Sequence, residues 1–149
     1  MKIQQLDEVE GRRVFVMVCD RGDEAVEALT VAAKRFDLTG AALTGIGAFS
    51  GVTLGFLDRA RPDYARRVIR ERVEVVSLVG NVALDDGEPR VHVHVVVARY
   101  DGSALGGHLL GGTVDATLEV TIVESPKTLR RKTDPATGLA LLDVDWSRS

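Results

Sequence analysis

Apolar and polar residues alternate along several short stretches of the chain, a pattern that is typical of half-buried strands. The first predicted strand covers residues 13–19 and has the sequence RVFVMVC. Apolar residues then recur at helical spacing at Val26, Leu29, Ala33 and Phe36. This spacing predicts one amphipathic helix, for which Asp23 is the expected N-cap and Gly40 the expected stop.

The remainder of the chain is rich in predicted strands. They have the sequences AALTGIGAF, VTLGFLD and RVEVVSLVGNVAL, followed by strands over residues 90–99 and 113–123. The Asp86-Gly87 and Asp101-Gly102 pairs indicate turns between neighbouring strands. A strand, a helix and then five or six strands predict an α+β fold with a largely antiparallel sheet and one main helix. From Ser125 onwards we expect an irregular tail packed along the domain, with a frayed end.

The composition fits one globular domain over residues 1–149, with 45% hydrophobic and 28% charged residues. The net charge of −3 argues against a general electrostatic attraction to nucleic acid. The single cysteine, Cys19, lies in an apolar stretch and is expected to be a buried structural thiol. Because no secretory signal or membrane-spanning stretch is visible, we expect a cytoplasmic location and no membrane partner.

The predicted strand that contains VHVHVVVA has few charges on either of its faces. Strands of this kind require cover on both sides, and one helix cannot cover a sheet of this size. We therefore expect copies of the chain to pack on each other.

The stretch TGIGAFSG is similar to the glycine-rich fingerprint of dinucleotide-binding proteins. Ser50 occupies the position of its last glycine, however, and a predicted strand follows where the fingerprint requires a helix. We therefore assign backbone turns or close packing, rather than nucleotide binding, to Gly45, Gly47, Gly51 and Gly55.

All three histidines of the chain lie between residues 92 and 108. His92 and His94 are two positions apart on a predicted strand, so both side chains point to the same face. Two imidazoles on one face can chelate a metal, and a third from the next strand would give the three-histidine set of catalytic zinc sites. The alternative is that these are hydrogen-bonded histidines on a half-buried sheet.

His108 reaches this face only if the strand register permits it. In a two-residue hairpin centred on Asp101-Gly102, position 94 pairs with position 109, and His108 then points to the opposite face. One extra residue on the second strand would correct the register, and Gly106-Gly107 is suited to such a bulge. The metal-site hypothesis therefore predicts an irregularity at this diglycine.

Glu119 is the fourth candidate for this site, on the last predicted strand. A carboxylate beside a metal can be a ligand, a hydrogen-bond partner of a ligand or a general base. The alternative is that Glu119 is an ordinary solvated side chain.

One family carries the same arrangement of residues. The chain resembles the plants-and-prokaryotes conserved (PPC) domain over about residues 10–143, its expected core. The most specific part of the resemblance is an HxH pair, an Asp-Gly turn, a GGH triplet and a later glutamate, here His92, His94, Asp101, Gly102, Gly106, Gly107, His108 and Glu119.

The resemblance implies a sandwich-like domain that assembles as a homotrimer. It also implies that the three histidines hold a metal, zinc or a similar divalent transition metal, in prokaryotic members. The fold is similar to that of acetolactate decarboxylases, which use a histidine-bound zinc. Plant members combine the domain with AT-hook segments and are DNA-associated, and prokaryotic members are described as candidate DNA-binding proteins on that basis.

No AT-hook core is visible in this chain, so a DNA role depends on analogy of fold. The strongest local basic cluster consists of Lys127, Arg130, Arg131 and Lys132. Two function classes remain open. One is a DNA-associated or regulatory protein that carries a metal site. The other is a zinc-dependent enzyme or small-molecule binder, in which Glu119 would handle protons.

Overall fold

The computed structural model describes residues 1–9, 11–58 and 64–144. These residues form nine strands and one helix. In chain order they are β1 (Lys2–Val9), β2 (Arg12–Asp20), α1 (Ala25–Arg35), β3 (Gly40–Leu57), β4 (Tyr64–Ile69), β5 (Val73–Asp85), β6 (Glu88–Ala98), β7 (Ala104–Glu124), β8 (Arg130–Thr133) and β9 (Ala140–Asp143). The predicted α+β class with one helix is confirmed.

The strands form a single sheet in which nearly all pairings are antiparallel. The order along it is β1-β2-β7-β3-β5-β8-β9, while β4 pairs with β3, and β6 pairs with both β5 and β7. The pairings β7–β3, β3–β5, β5–β6 and β6–β7 therefore close on themselves. This closure brings β6 and β7, the two strands that carry the histidines, side by side.

Helix α1 begins one residue later than expected. Its N-cap is Glu24, whose carboxylate accepts from the backbone N–H of Glu27 at 2.7 Å. The expected N-cap Asp23 instead accepts from the backbone N–H of Asp20 at 2.9 Å, so its carboxylate serves the preceding turn. The expected stop is also wrong, because the helix ends at Arg35 and Gly40 is the first residue of β3.

Strand β3 is one continuous element of 18 residues where the sequence pattern suggested two strands. Its glycines permit close approach to β7 rather than turns. A Cβ atom at Gly45 would lie 2.7 Å from the carbonyl oxygen of Glu119, and one at Gly47 would lie 2.4 Å from that of Thr117. Close packing is therefore the correct alternative at these two positions.

The two faces of β6 differ sharply. Val93, Val95 and Val97 are buried in the core, against which α1 packs. His92 and His94 lie on the other face, where His94 is exposed. The single helix thus covers one face of this part of the sheet and leaves the histidine face open in one chain.

The tail after Ser125 is more ordered than expected. It forms the β8–β9 hairpin, which joins the edge of β5. The end that we expected to be frayed, residues 145–149, lies outside the described residues. In the described part of the chain, no helix has the length and apolar character needed to cross a membrane.

Candidate metal centre

The three histidines converge because His94 and His108 are direct cross-strand partners. The β6–β7 ladder runs from His94↔His108 to Ala98↔Ala104 without interruption. Paired residues on adjacent strands share a face, and so do residues two apart on one strand. His92, His94 and His108 therefore project to the same side of the sheet.

The predicted bulge at Gly106-Gly107 is wrong, since both glycines lie in the regular ladder. The register is corrected inside the turn instead. Arg99 and Ser103 close a loop of three residues, with the Arg99 N–H donating to the Ser103 carbonyl at 2.9 Å, and Gly102 adopts a φ of +81°. Compared with a two-residue loop, a loop of three residues shifts the strand pairing by one residue and so brings position 108, rather than 109, opposite position 94.

The ring nitrogens of these histidines lie close enough together to converge on one metal ion. One ligand atom from each histidine lies within 4.8 Å of the other two, and the Nε2 atoms of His92 and His94 are 3.3 Å apart. Two nitrogens bound at about 2.0–2.1 Å to one tetrahedral ion are separated by about 3.3–3.4 Å. The residues therefore fit a zinc-type ion.

A hydrogen bond between two histidines explains the site less completely. The 3.3 Å contact could be such a bond between His92 and His94. It would leave the buried Nδ1 atom of His108 without a hydrogen-bond partner among the described residues. A buried polar atom without a partner is costly, and a metal ion bound at this nitrogen would satisfy it.

The surroundings keep two of the imidazoles neutral. Burial, followed by the positive charge of Arg131, lowers the pKa of His92 to about 4. Burial also lowers the pKa of His108, with further contributions from His94 and Arg131. Neutral imidazole is the form that ligates a metal, so at pH 7 these side chains need not lose a proton first.

His92 and His108 border a cavity of about 750 Å³. The ring of Tyr64 stacks on His108, with 4.8 Å between the ring centroids and 16° between the planes. The tail hairpin forms the opposite wall, from which Arg131 enters the cavity together with the apolar side chains of Leu141 and Leu142. If His92, His94 and His108 held a tetrahedral ion, one position would remain for a further ligand, and the adjoining cavity could accommodate that ligand.

Glu119 lies apart from the histidines in this chain. It is an exposed residue on β7, paired with Ile46 of β3 and Val18 of β2, and it borders a different surface depression. Ten residues of strand separate it from His108. The structure therefore does not bring Glu119 to the metal site, and no role there is assigned to it.

The basic cluster of the tail is divided between two environments. Lys127, Arg130 and Lys132 are exposed. Arg131, between the last two, is half-buried and donates from Nη2 to the side-chain oxygen of Asn81 at 2.6 Å. Alternation along β8 explains the difference, because successive side chains of a strand point to opposite faces.

Sequence reasoning did not identify Tyr64 and Asn81 as residues of the cavity. It named Arg131 as part of a basic cluster but did not predict that this side chain lines the cavity. A signal for Asn81 was present, since it is a polar residue inside the apolar stretch VEVVSLVGNVAL. The Asp86-Gly87 turn then pairs Asn81 with His92. Tyr64 and Arg131 lie on strands that the apolar pattern did not predict.

Comparison with known proteins identifies the family. Residues 6–126 match the Plants and Prokaryotes Conserved (PCC) domain. Among curated proteins, the chain is 33% identical over 107 residues to the bifunctional protein GlmU of a Synechococcus strain, a match that covers 70% of this chain. The chain spans only about 16% of the length of the curated relatives that it matches.

Several solved structures share the whole fold. A plant- and prokaryote-conserved protein from Pyrococcus horikoshii is 30% identical with a TM-score of 0.82, over 89% of this chain and 92% of that one. A metal-containing protein from Archaeoglobus fulgidus is 28% identical with a TM-score of 0.81, over 97% and 100%. A "putative DNA binding protein" from Bacteroides thetaiotaomicron is 27% identical with a TM-score of 0.82, over 92% and 94%.

A more distant likeness concerns the fold alone. α-Acetolactate decarboxylase from Bacillus subtilis is 16% identical with a TM-score of 0.56, over 87% of this chain and 60% of that one. The predicted similarity of fold to acetolactate decarboxylases is confirmed.

Proposed function

The chain belongs to the Plants and Prokaryotes Conserved domain family, and from this premise we propose that it is a metal-binding protein with one divalent transition metal, zinc or a close neighbour, held by His92, His94 and His108. The spacing of the three ring nitrogens carries the proposal. The similarity to a metal-containing archaeal protein supports it.

The open position beside the cavity favours a role in small-molecule binding. A metal bound there would polarise a carbonyl group or activate a water molecule. The residues of this chain would supply the rest of the site: Tyr64 packs against the His108 ring, and Arg131 lines the opposite wall. We further propose that the protein acts in the cytoplasm.

The metal proposal is tested by elemental analysis of protein prepared without chelator or affinity tag and then dialysed against zinc. We expect about one zinc per chain. H92A, H94A and H108A should each lose most of it, because each removes one of three ligands. E119Q is the matched control and should retain it, since Glu119 lies elsewhere on β7. A wild-type protein that fails to retain zinc would refute the proposal.

A homotrimer is the assembly that we propose for this chain. The histidine face of the sheet leaves apolar side chains uncovered, among them Val79 and Val96, which are 49% and 40% exposed. Val79 is the cross-strand partner of His94, so this apolar surface adjoins the candidate metal site. Sedimentation equilibrium at micromolar concentration should give three times the chain mass of 16.1 kDa, and a monomer mass would contradict the proposal.

DNA association is the second candidate function, supported by the similar structure described as a DNA-binding candidate. We propose weak binding without base preference, because the chain carries a net charge of −3. Its source would be the exposed Lys127, Arg130 and Lys132. The affinity for DNA should fall steeply as the salt concentration rises, since phosphate contacts release counterions. The R130A/K132A variant should bind DNA more weakly than the wild type at the same salt concentration. Tight binding to one sequence at about 200 mM salt would contradict this picture.

A further inference from the structure

Arg131 is fixed beside the histidines by the geometry of two strands. Its Nη2 atom donates to the Asn81 side chain at 2.6 Å and its Nη1 atom to the Ala140 carbonyl at 3.0 Å. Asn81 is the cross-strand partner of His92, so their side chains share one face. The guanidinium group therefore lies on the histidine face of the sheet, at the wall of the same cavity.

Arg131 forms no direct ion pair within the described parts of the chain, although Asp85 lies close enough to act on its charge. Its two hydrogen bonds go to neutral oxygens, and its buried Nε atom has no hydrogen-bond partner there. The neighbouring Arg90, by contrast, forms an ion pair with Asp85. A half-buried guanidinium whose charge no direct ion pair neutralises is unfavourable, and nearby neutral histidines do not relieve it.

We propose that the cavity binds a small carboxylate anion, with Arg131 as the residue that holds the carboxylate beside the open metal position. This inference rests on the proposed metal site. Asp85 and Asp86 also line the cavity, but Asp85 is paired with Arg90. A divalent ion on neutral histidines would, together with Arg131, leave this end of the cavity positively charged, which selects an anion over a neutral ligand. A volume of about 750 Å³ is ample for such a molecule.

The donor arrangement of Arg131 favours a carboxylate among anions. Each terminal nitrogen donates one hydrogen bond to the protein and retains one further N–H. The remaining donors lie in the plane of the guanidinium, which matches the planar pair of oxygens of a carboxylate. Arg131 is thus a binding residue, and its role differs from that of its exposed neighbours.

The experiment uses the full-length chain loaded with cobalt(II), whose visible absorption responds to a change of ligand at the metal. Cobalt stoichiometry is measured first, and acetate, acetamide and inorganic phosphate are then titrated separately. We expect acetate to change the spectrum, whereas acetamide, its neutral analogue of the same shape, should not. Phosphate should bind more weakly than acetate, because its tetrahedral oxygens match the planar donors less well.

The decisive variant is R131M, with R130M as the matched control on the other face of β8. R131M should weaken acetate binding at least about tenfold, the value of one charged hydrogen bond, at unchanged cobalt content. R130M should bind acetate as the wild type does. If R131M unfolds or loses cobalt, R131K decides, because it keeps the charge but loses the planar donors and should still weaken binding.

Several results would overturn the inference. One is an R131M or R131K variant that binds acetate as tightly as the wild type does. Another is a wild-type protein that binds acetamide as tightly as acetate, or phosphate more tightly than acetate. Cobalt binding without any response to acetate would overturn the carboxylate site alone. A wild-type chain that takes up no cobalt would overturn the proposed metal function and this inference together, and the first measurement identifies that case.

Discussion

Replacing Gly80 with alanine should damage both the sheet and the metal site, because this glycine lies where β5 and β6 approach most closely. A Cβ atom at Gly80 would lie 2.1 Å from the carbonyl oxygen of His92 and 2.7 Å from the Cα atom of Val93. Both contacts are with backbone, so no side-chain rotation can relieve them. To bring the carbonyl contact to 3.0 Å, the strands must separate by about 0.9 Å at His92.

The size of the effect follows from that displacement. Overpacking lowers the free energy of unfolding by about 1–3 kcal/mol, and we expect a loss of about 3 kcal/mol here because the clash is with backbone. This loss corresponds to a fall in Tm of about 6–12 °C for a chain of this size. Metal ligands tolerate distance errors of about 0.2 Å. A 0.9 Å shift of the His92 backbone should therefore reduce zinc affinity by at least about tenfold.

Urea denaturation and a competitive zinc titration measure the two effects. The matched control is G106A on the neighbouring strand β7, where a Cβ atom would meet nothing closer than 3.3 Å. G106A should stay within about 1 kcal/mol of the wild type, because its φ is not positive and its tightest contact, 3.3 Å from the Val95 carbonyl oxygen, needs a shift of only a few tenths of an ångström. If G80A is as stable as G106A and binds zinc equally well, the close contact of β5 and β6 does not hold the histidines in position.

Two further predictions concern groups far from the cavity. The carboxylate of Glu124 accepts from Arg13 Nε at 2.8 Å, which lowers its pKa. Stability from a lowered carboxyl pKa is present above the unfolded value of about 4.3 and is lost as the pH falls through the lower folded value. E124Q should therefore cost about 2 kcal/mol at pH 7 and progressively less as the carboxyl group of the folded protein becomes protonated. A pH-independent difference in urea denaturation would contradict this. Burial raises the pKa of the Cys19 thiol to about 11, so a thiol reagent should modify the folded protein only as fast as the protein opens.

The apolar pattern predicted those strands that have one buried face, and it failed where burial does not alternate. Burial alternates along β2 and along the second half of β6, as the apolar pattern predicts. Strand β4, with the sequence YARRVI, carries two arginines and is exposed over half its length, so its sequence resembles a loop. It forms because β3 offers an unpaired edge from Val52 to Leu57, and hydrogen bonding to that edge does not require apolar side chains.

The two turns of the histidine region show how far the register could be predicted. The Asp86-Gly87 turn is a two-residue hairpin, with both residues at positive φ, and it alone determines that Asn81 lies opposite His92. The second Asp-Gly pair resembles the first in sequence, yet it belongs to a loop of three residues. Local sequence does not distinguish these turns, because the choice depends on the pairing of β7 with β3 along most of its length.

Glycine explains why three histidines fit at the junction of these strands. His108 pairs with His94 on one side and with Gly55 of β3 on the other, so its ring has a neighbouring imidazole on one side and a position without a side chain on the other. A Cβ atom at Gly107 would lie 2.9 Å from the carbonyl oxygen of Gly55, which shows how closely β7 approaches β3 here. Gly107 therefore acts on the site through the spacing of β3 and β7, while the three-residue turn sets the direction of His108. Gly55 contributes as well, because a Cβ atom there would lie 3.0 Å from the Tyr64 ring that stacks on His108.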